Sequence, residues 1–132
     1  PPALDELGLF SALREFAANH NRADFSVHVE CEGELPKLSA AVEVAAYRIA
    51  CEAIVNASKH SRGTECRVRL KFDGGLRIEA QDNGAGLPKE THAGVGMVSM
   101  RERAAELGGT FTVESSNGVH ITALLPCGDD DA

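Results

Sequence analysis

The sequence lacks three features that would assign it to common functional classes. No apolar run approaches the ~20 residues of a membrane-spanning helix, and no charged-then-apolar secretory leader is present. Basic residues are the minority, with 13 Lys and Arg against 20 Asp and Glu, a net charge of -7. Because nucleic-acid binding depends mainly on neutralising phosphates, direct contact with nucleic acid is disfavoured. We therefore expect a cytoplasmic domain with no membrane contact of its own.

Closely spaced cysteine pairs are also missing. The four cysteines lie far apart and form no Cys-x-x-Cys pair; they are Cys31, Cys51, Cys66 and Cys127. A zinc site or a disulfide framework requires tighter spacing. We expect reduced thiols, as in a cytosolic protein.

The 132 residues suffice for one domain with a real core. Apolar periodicity predicts a helix within residues 1–20, a strand around residues 25–29 and a long helix over about residues 39–60, which Ser39 can cap. Strands follow at 65–72 and 76–81, then a helix at about 97–107 and strands at 110–115 and 120–125. Asp73-Gly74-Gly75 and Asn117-Gly118 mark hairpin turns. This order predicts a two-layer α/β (α+β) sandwich, with a mixed, mostly antiparallel sheet and helices on one face.

Two glycine pairs follow the second of these hairpin strands. The first stands in Asp82-Asn83-Gly84-Ala85-Gly86 and the second in Gly94-Val95-Gly96-Met97. Glycine lets backbone approach a ligand closely. The Asp82 carboxylate only accepts hydrogen bonds, so it favours a donor such as the exocyclic amine of a purine. The second pair opens a helix, where backbone N–H groups favour phosphate. Together they predict a nucleotide site.

The long helix carries a polar face on the side away from its apolar stripe. At about 3.6 residues per turn, this face collects Glu52, Asn56, Lys59 and His60. A solvent-exposed face is the alternative explanation. However, carboxylate and amide oxygens suit Mg²⁺, and Lys59 can meet phosphate as a point charge. Glu52 could orient or deprotonate a nucleophile.

These motifs together resemble a known superfamily. The stretch from Glu52 to His60 is similar to the N-box of GHKL-type ATPases, and the two glycine stretches are similar to their first and second glycine boxes. The run 96–104, followed by Leu107-Gly108-Gly109, resembles the nitrate-sensor-like subfamily of bacterial two-component sensor histidine kinases. The opening residues 4–9 resemble the junction between that subfamily's dimerisation helices and its ATP-binding domain.

The resemblance implies Mg-ATP bound under a short lid. If the roles of the family's residues hold at the matching positions of this sequence, Asp82 binds the adenine amine, Asn56 holds Mg²⁺, and Glu52 is the catalytic residue. Lys59 and His60 reach towards phosphates. The ATP-binding residues also include Gly84 and Gly86, in the base-binding turn, and the phosphate-facing stretch of Gly94, Val95, Gly96 and Met97. Gly94 and Gly96 hinge the lid. The implied boundaries are residues 1–8 for the end of the dimerisation junction, 9–127 for the catalytic domain and 128–132 for an acidic tail.

Two departures from the family pattern matter. The family often has a threonine near the adenine after the final glycine, but here Val119 follows Gly118, and Thr122 is the nearest hydroxyl. None of the five histidines has the expected setting of a phosphoacceptor. The resemblance therefore implies that ATP bound here phosphorylates a histidine on a separate dimerisation domain, within a homodimer, for relay to a response regulator.

Two alternatives remain open. A stand-alone anti-sigma-factor serine kinase of the same superfamily would have this size. A non-catalytic nucleotide-binding module would act only through protein contacts. The intact Glu52, Asn56 and Asp82 count against the second alternative.

Overall fold

The computed structural model describes Leu4, residues 8–86 and residues 95–127. Within these ranges three helices and five strands follow one another. They are α1 (Leu9–Ala18), β1 (Ser26–Glu32), α2 (Ala40–His60), β2 (Glu65–Phe72), β3 (Gly75–Asp82), α3 (Val95–Glu106), β4 (Thr110–Ser116) and β5 (Gly118–Pro126). The predicted order of elements is confirmed.

The five strands form one mixed sheet in the order β1-β2-β3-β5-β4. β1 and β2 run parallel, and α2 connects them. The other neighbouring pairs are antiparallel. α2 packs on β2, β3 and β5, and α1 and α3 pack beside it. The predicted two-layer α+β architecture is therefore correct.

The core lies between this sheet and the helices. Strand residues alternate between the core and the outer face, as the period of two requires. On the sheet side the fully buried large side chains include Val68, Leu70, Leu76, Ile78, Ile121 and Leu125. α2 meets them with Ile49, Ile54 and a series of buried alanines. The small alanine side chains let the helix approach the sheet closely.

The ends of α2 match the physical preferences of helix termini. The Ser39 hydroxyl accepts a hydrogen bond from the Val42 N–H at 3.2 Å, so Ser39 is the N-cap as predicted. Glu43 lies in the first turn, and Lys59 and His60 lie in the last. The negative charge of Glu43 near the N-terminus and the positive charge of Lys59 near the C-terminus interact favourably with the helix dipole.

The outer face of the sheet carries charged side chains of both signs. Arg67 pairs with Glu30 at 2.9 Å, and Arg77 pairs with Glu79 at 2.8 Å. His120 lies 3.7 Å from Glu79 on the same face. The pairing of opposite charges is typical of a solvated sheet surface. Among the described residues, no helix is long and apolar enough to cross a membrane.

Several strands extend further than the sequence predicts, and two of these extensions lie next to each other. β3 continues to Asp82, which pairs with Cys66, and β5 begins at Gly118, which pairs with Ser116. These extensions place Asp82 at the last position of a strand rather than in a loop. They bring the end of β3, the start of β5 and the exit from α2 to one end of the sheet.

Neighbouring leucines on β5 test which face is the core. Leu125 is 1% exposed, and Leu124 is 47% exposed. We expect Leu125→Ala to lower the free energy of unfolding by about 2–5 kcal/mol, because it removes buried methyl groups and leaves a cavity. Leu124→Ala, the matched control, should cost less than about 1 kcal/mol. Urea unfolding followed by circular dichroism measures both, and equal losses would contradict the assigned face.

Candidate functional site

Asp82 is a nearly buried carboxylate in which one oxygen accepts hydrogen bonds from the protein and the other can accept one from a ligand. Its side chain is 7% exposed. Its Oδ1 accepts hydrogen bonds from the Gly84 N–H at 2.9 Å and the Val119 N–H at 3.2 Å. No described residue donates to Oδ2, and no buried polar side-chain atom in the described part is sealed without a partner. Oδ2 is therefore an accessible acceptor, fixed in direction by the two backbone bonds.

Glycine is required at Gly118 because the backbone there presses against Asp82. Gly118 has φ 103°, in the region that L side chains rarely adopt. A Cβ at this position would overlap the Asp82 carbonyl oxygen and lie 2.9 Å from its Oδ1. The turn before β5 thus brings a strand distant in sequence against the carboxylate.

Val119 occupies the position where the family pattern places a threonine. Its backbone N–H, rather than its side chain, contacts Asp82. Thr122 lies opposite Glu79 and Thr112 in the ladder, on the outer face of the sheet. It therefore cannot complete a pocket on the helix side, where Asp82 points.

The first glycine pair packs against the end of α2. The Ala85 N–H donates to the Ser61 carbonyl oxygen at 2.8 Å. A Cβ on Gly84 would overlap that oxygen and lie 2.6 Å from the Ser61 Cβ. Gly84 is therefore needed for close contact between two protein segments, in addition to any contact with a ligand. Sequence reasoning missed this role for Ser61.

The polar face of α2 ends beside this contact. Glu52 and Asn56 are half-buried, and Lys59 and His60 are exposed. No side-chain hydrogen bond or ion pair joins any of the four to another described residue. The four predicted residues therefore share one face of α2 towards its C-terminal end, and their polar side-chain atoms are not used by another described residue.

Arg22 supports the last turn of this helix from the loop before β1. Its guanidinium donates to the Ser58 hydroxyl at 2.7 Å and to the Ser58 carbonyl oxygen at 2.9 Å. A cation at this position also favours the C-terminal end of the helix dipole. The sequence pattern gave no indication of this contact.

The second glycine pair is only partly described. Gly94 lies outside the described residues, as do residues 87–93 between the two glycine pairs. Val95 and Gly96 form the first turn of α3, followed by Met97, which is buried. The helix begins slightly earlier than predicted. The prediction that Gly94 and Gly96 hinge a lid remains a prediction.

The surroundings of the cysteines do not favour a catalytic or metal-binding role. All four are free. Burial, followed by the negative charges of Asp82 and Glu65, raises the pKa of Cys66 to about 12. Burial likewise raises the pKa of Cys51 to about 12. Both thiols are protonated at neutral pH, so they are poor nucleophiles and poor metal ligands.

Comparison with known proteins places this geometry in context. Residues 41–129 match the family described as histidine kinase-, DNA gyrase B- and HSP90-like ATPases. The chain is 33% identical over 135 residues to the signal transduction histidine-protein kinase/phosphatase DegS of Bacillus subtilis, covering 95% of this chain and 35% of DegS. It is 35% identical over 120 residues to the nitrate/nitrite sensor protein NarQ of Escherichia coli, covering 87% of this chain and 21% of NarQ. The chain thus spans about a third or less of these relatives.

A solved structure shares the fold. The histidine kinase domain of the blue-light activated histidine kinase from Erythrobacter litoralis superposes with a TM-score of 0.74 at 18% identity. The match covers 91% of this chain and 59% of that domain.

The close approach at Gly118 is testable by comparison with Gly74. Both have positive φ, but a Cβ at Gly74 would meet nothing within 4 Å. Gly74→Ala should therefore cost only the strain of a left-handed residue, about 1–2 kcal/mol. Gly118→Ala should cost clearly more, because it also displaces Asp82. Urea unfolding and the amide NMR shifts of Gly84 and Val119 measure these effects, and equal costs with unshifted amides would refute the proposed packing.

Proposed function

The chain belongs to the histidine kinase-, DNA gyrase B- and HSP90-like ATPase family, and on that premise we propose that it is the catalytic ATP-binding domain of a sensor histidine kinase. In this proposal it supplies the γ-phosphoryl group of Mg-ATP to a histidine on a separate dimerisation domain. The phosphoryl group then passes to a response regulator. The observation that carries the proposal is the Asp82 carboxylate, which keeps one oxygen accessible in a turn that packs against the end of α2. The side chains of that helix's polar face have no hydrogen-bond or ion-pair partner among the described residues.

The base is the part of the ligand that Asp82 would recognise. Its open Oδ2 is an acceptor and requires a donor. Adenine presents an exocyclic amine, whereas guanine presents a carbonyl oxygen at the corresponding ring position. Two facing acceptors leave a polar group unpaired, which is strongly disfavoured in a nearly buried site. This reasoning supports adenine as the base.

The face of α2 supports a site for the metal-bound phosphates. In the described part of the chain, no group of three or more His, Cys, Asp or Glu side chains is placed so that it could hold a metal ion. Mg²⁺ commonly takes only one or two protein ligands and completes its shell with phosphate oxygens and water. The Asn56 amide oxygen, with Glu52 one turn away, fits that need. When bound, Mg²⁺ would neutralise phosphate charge during transfer.

The remaining residues of the face have distinct roles in this proposal. Lys59 supplies a positive charge for the phosphates, and His60 adds a hydrogen-bonding group beside it. Glu52 orients or deprotonates the attacking histidine. Catalysis would rest mainly on positioning and charge neutralisation.

The relatives favour this assignment over the stand-alone serine kinase. Both curated relatives described above are named as a histidine kinase or a sensor protein, and each is about three or more times the length of the matched region. The match with DegS covers 95% of this chain, so the similarity extends over nearly all of it. The domain boundaries proposed are 1–8, 9–127 and 128–132.

Base recognition can be tested by calorimetric titration. We expect the chain to bind ATP at least about tenfold more tightly than GTP. Asp82→Asn should weaken ATP binding by about 100-fold, because the amide NH2 of the new asparagine can face the adenine amine, which is also a donor. Asp73→Asn removes an equal charge in an exposed turn and should leave ATP binding unchanged. Equal affinity for GTP and ATP would exclude the assigned role of Asp82. No binding at millimolar nucleotide would exclude both the sensor histidine kinase and the stand-alone serine kinase as functions.

Phosphoryl transfer can be tested with γ-labelled ATP. We expect no label on the histidines of residues 1–132 alone, and label on a histidine outside this range when the chain is joined to its dimerisation domain. Glu52→Gln should slow labelling by about 100-fold or more. Glu43→Gln alters a glutamate in the first turn of the same helix and serves as the control. Label on a histidine within residues 1–132 would overturn the proposed division of roles.

A further inference from the structure

We propose that Asn83 is a positioning residue that sets the distance between the base-binding turn and the phosphate-binding end of α2. This inference rests on the proposed function. It concerns the junction between two segments, residues 61–64 after α2 and residues 82–85 at the end of β3. Asp82 begins the second segment, and His60 immediately precedes the first.

The Asn83 side chain uses both ends of its amide to bridge the two segments. Its Oδ1 accepts hydrogen bonds from the Thr64 N–H at 2.8 Å and the Glu65 N–H at 3.0 Å. Its Nδ2 donates to the Thr64 hydroxyl oxygen at 2.8 Å. Because two N–H groups face Oδ1, only an oxygen fits there, and the orientation of the amide is settled by its partners.

The bridge lies beyond the regular sheet. The β2–β3 ladder ends at the pair Cys66 and Asp82. One step further, the Asn83 N–H donates to the Glu65 carbonyl oxygen at 3.3 Å, and the side chain continues the connection to Thr64. Asn83 is exposed, so it contributes little burial. Its contribution is the geometry of the junction.

The segment that Asn83 holds has an unusual backbone. Arg62 has φ 61°, the only positive φ at a described residue other than glycine. Gly63 lies so close to Asn83 that a Cβ would overlap its Oδ1 and lie 2.7 Å from the Gly84 nitrogen. A conformation this constrained persists only when its surroundings specify it. The hydrogen bonds of Asn83 provide that specification.

Fixing this junction matters because the ligand would contact both sides of it. A nucleotide bound by Asp82 and by the α2 face gains from both contacts only when their separation matches its own length. Displacements of a fraction of an ångström weaken such a two-point site. A nucleoside without phosphates contacts only the base side and does not depend on that separation.

The test is the ratio of affinities for adenosine and ADP, measured by NMR titration well below the melting temperature. We expect Asn83→Ala to weaken ADP binding by about tenfold and to leave adenosine binding within about twofold of the unaltered chain. Gly63→Ala should give the same selective loss, because its Cβ displaces the Asn83 side chain without removing it.

Asn21 offers a matched control. Its Oδ1 accepts the Val27 N–H at 2.8 Å and its Nδ2 donates to the Ala17 carbonyl oxygen at 3.2 Å, at the junction of α1 and β1. Asn21→Ala should lower the melting temperature without changing either affinity. If Asn83→Ala behaves in the same way, or weakens adenosine and ADP equally, Asn83 has no positioning role. If the unaltered chain binds neither ligand, the proposed function fails first, and this inference falls with it.

Discussion

The candidate site depends on one carboxylate held by backbone N–H groups from two distant segments. Gly84 donates from the turn that follows β3, and Val119 donates from the start of β5. Such charge-assisted bonds are stronger than neutral ones and fix the direction of the remaining oxygen. They form only because Gly84 and Gly118 lack a Cβ where the chain comes closest. The two hydrogen bonds to Oδ1 therefore offset part of the free-energy cost of burying the Asp82 carboxylate, while Oδ2 can still accept a hydrogen bond from a ligand.

The elements of the fold could be predicted because their signals are local. The Ser39 cap, the apolar stripe of α2 and the alternation along β2 and β3 each lie within a few turns or residues. The same applies to the polar face of α2, whose members share a helix. Likewise, Asp82 could be singled out because its chemistry is visible in a short glycine motif. These features needed no knowledge of tertiary contacts.

The contacts that shape the site could not be predicted in this way. Val119 contacts Asp82 across 37 positions of sequence, through a backbone N–H that nearly every residue possesses. Asn83 reaches Thr64 across 19 positions, and Arg22 reaches Ser58 across 36. No local pattern encodes such pairings. Gly118 was recognised as a hairpin residue, but its contact with Asp82 follows only from the pairing of β3 with β5.

The end of α2 shows how a helix can keep its polar side chains free for a ligand. Helix C-termini leave carbonyl groups unsatisfied, and nearby basic side chains often bind them. Here the Arg22 guanidinium donates a hydrogen bond to the Ser58 carbonyl oxygen, and the Ser61 N–H donates one to the Ala57 carbonyl oxygen. Lys59 and His60 lie in the same turn, but their side chains are not needed to bind these carbonyl groups. Both side chains are exposed, so an anion that binds there displaces no contact with another described residue.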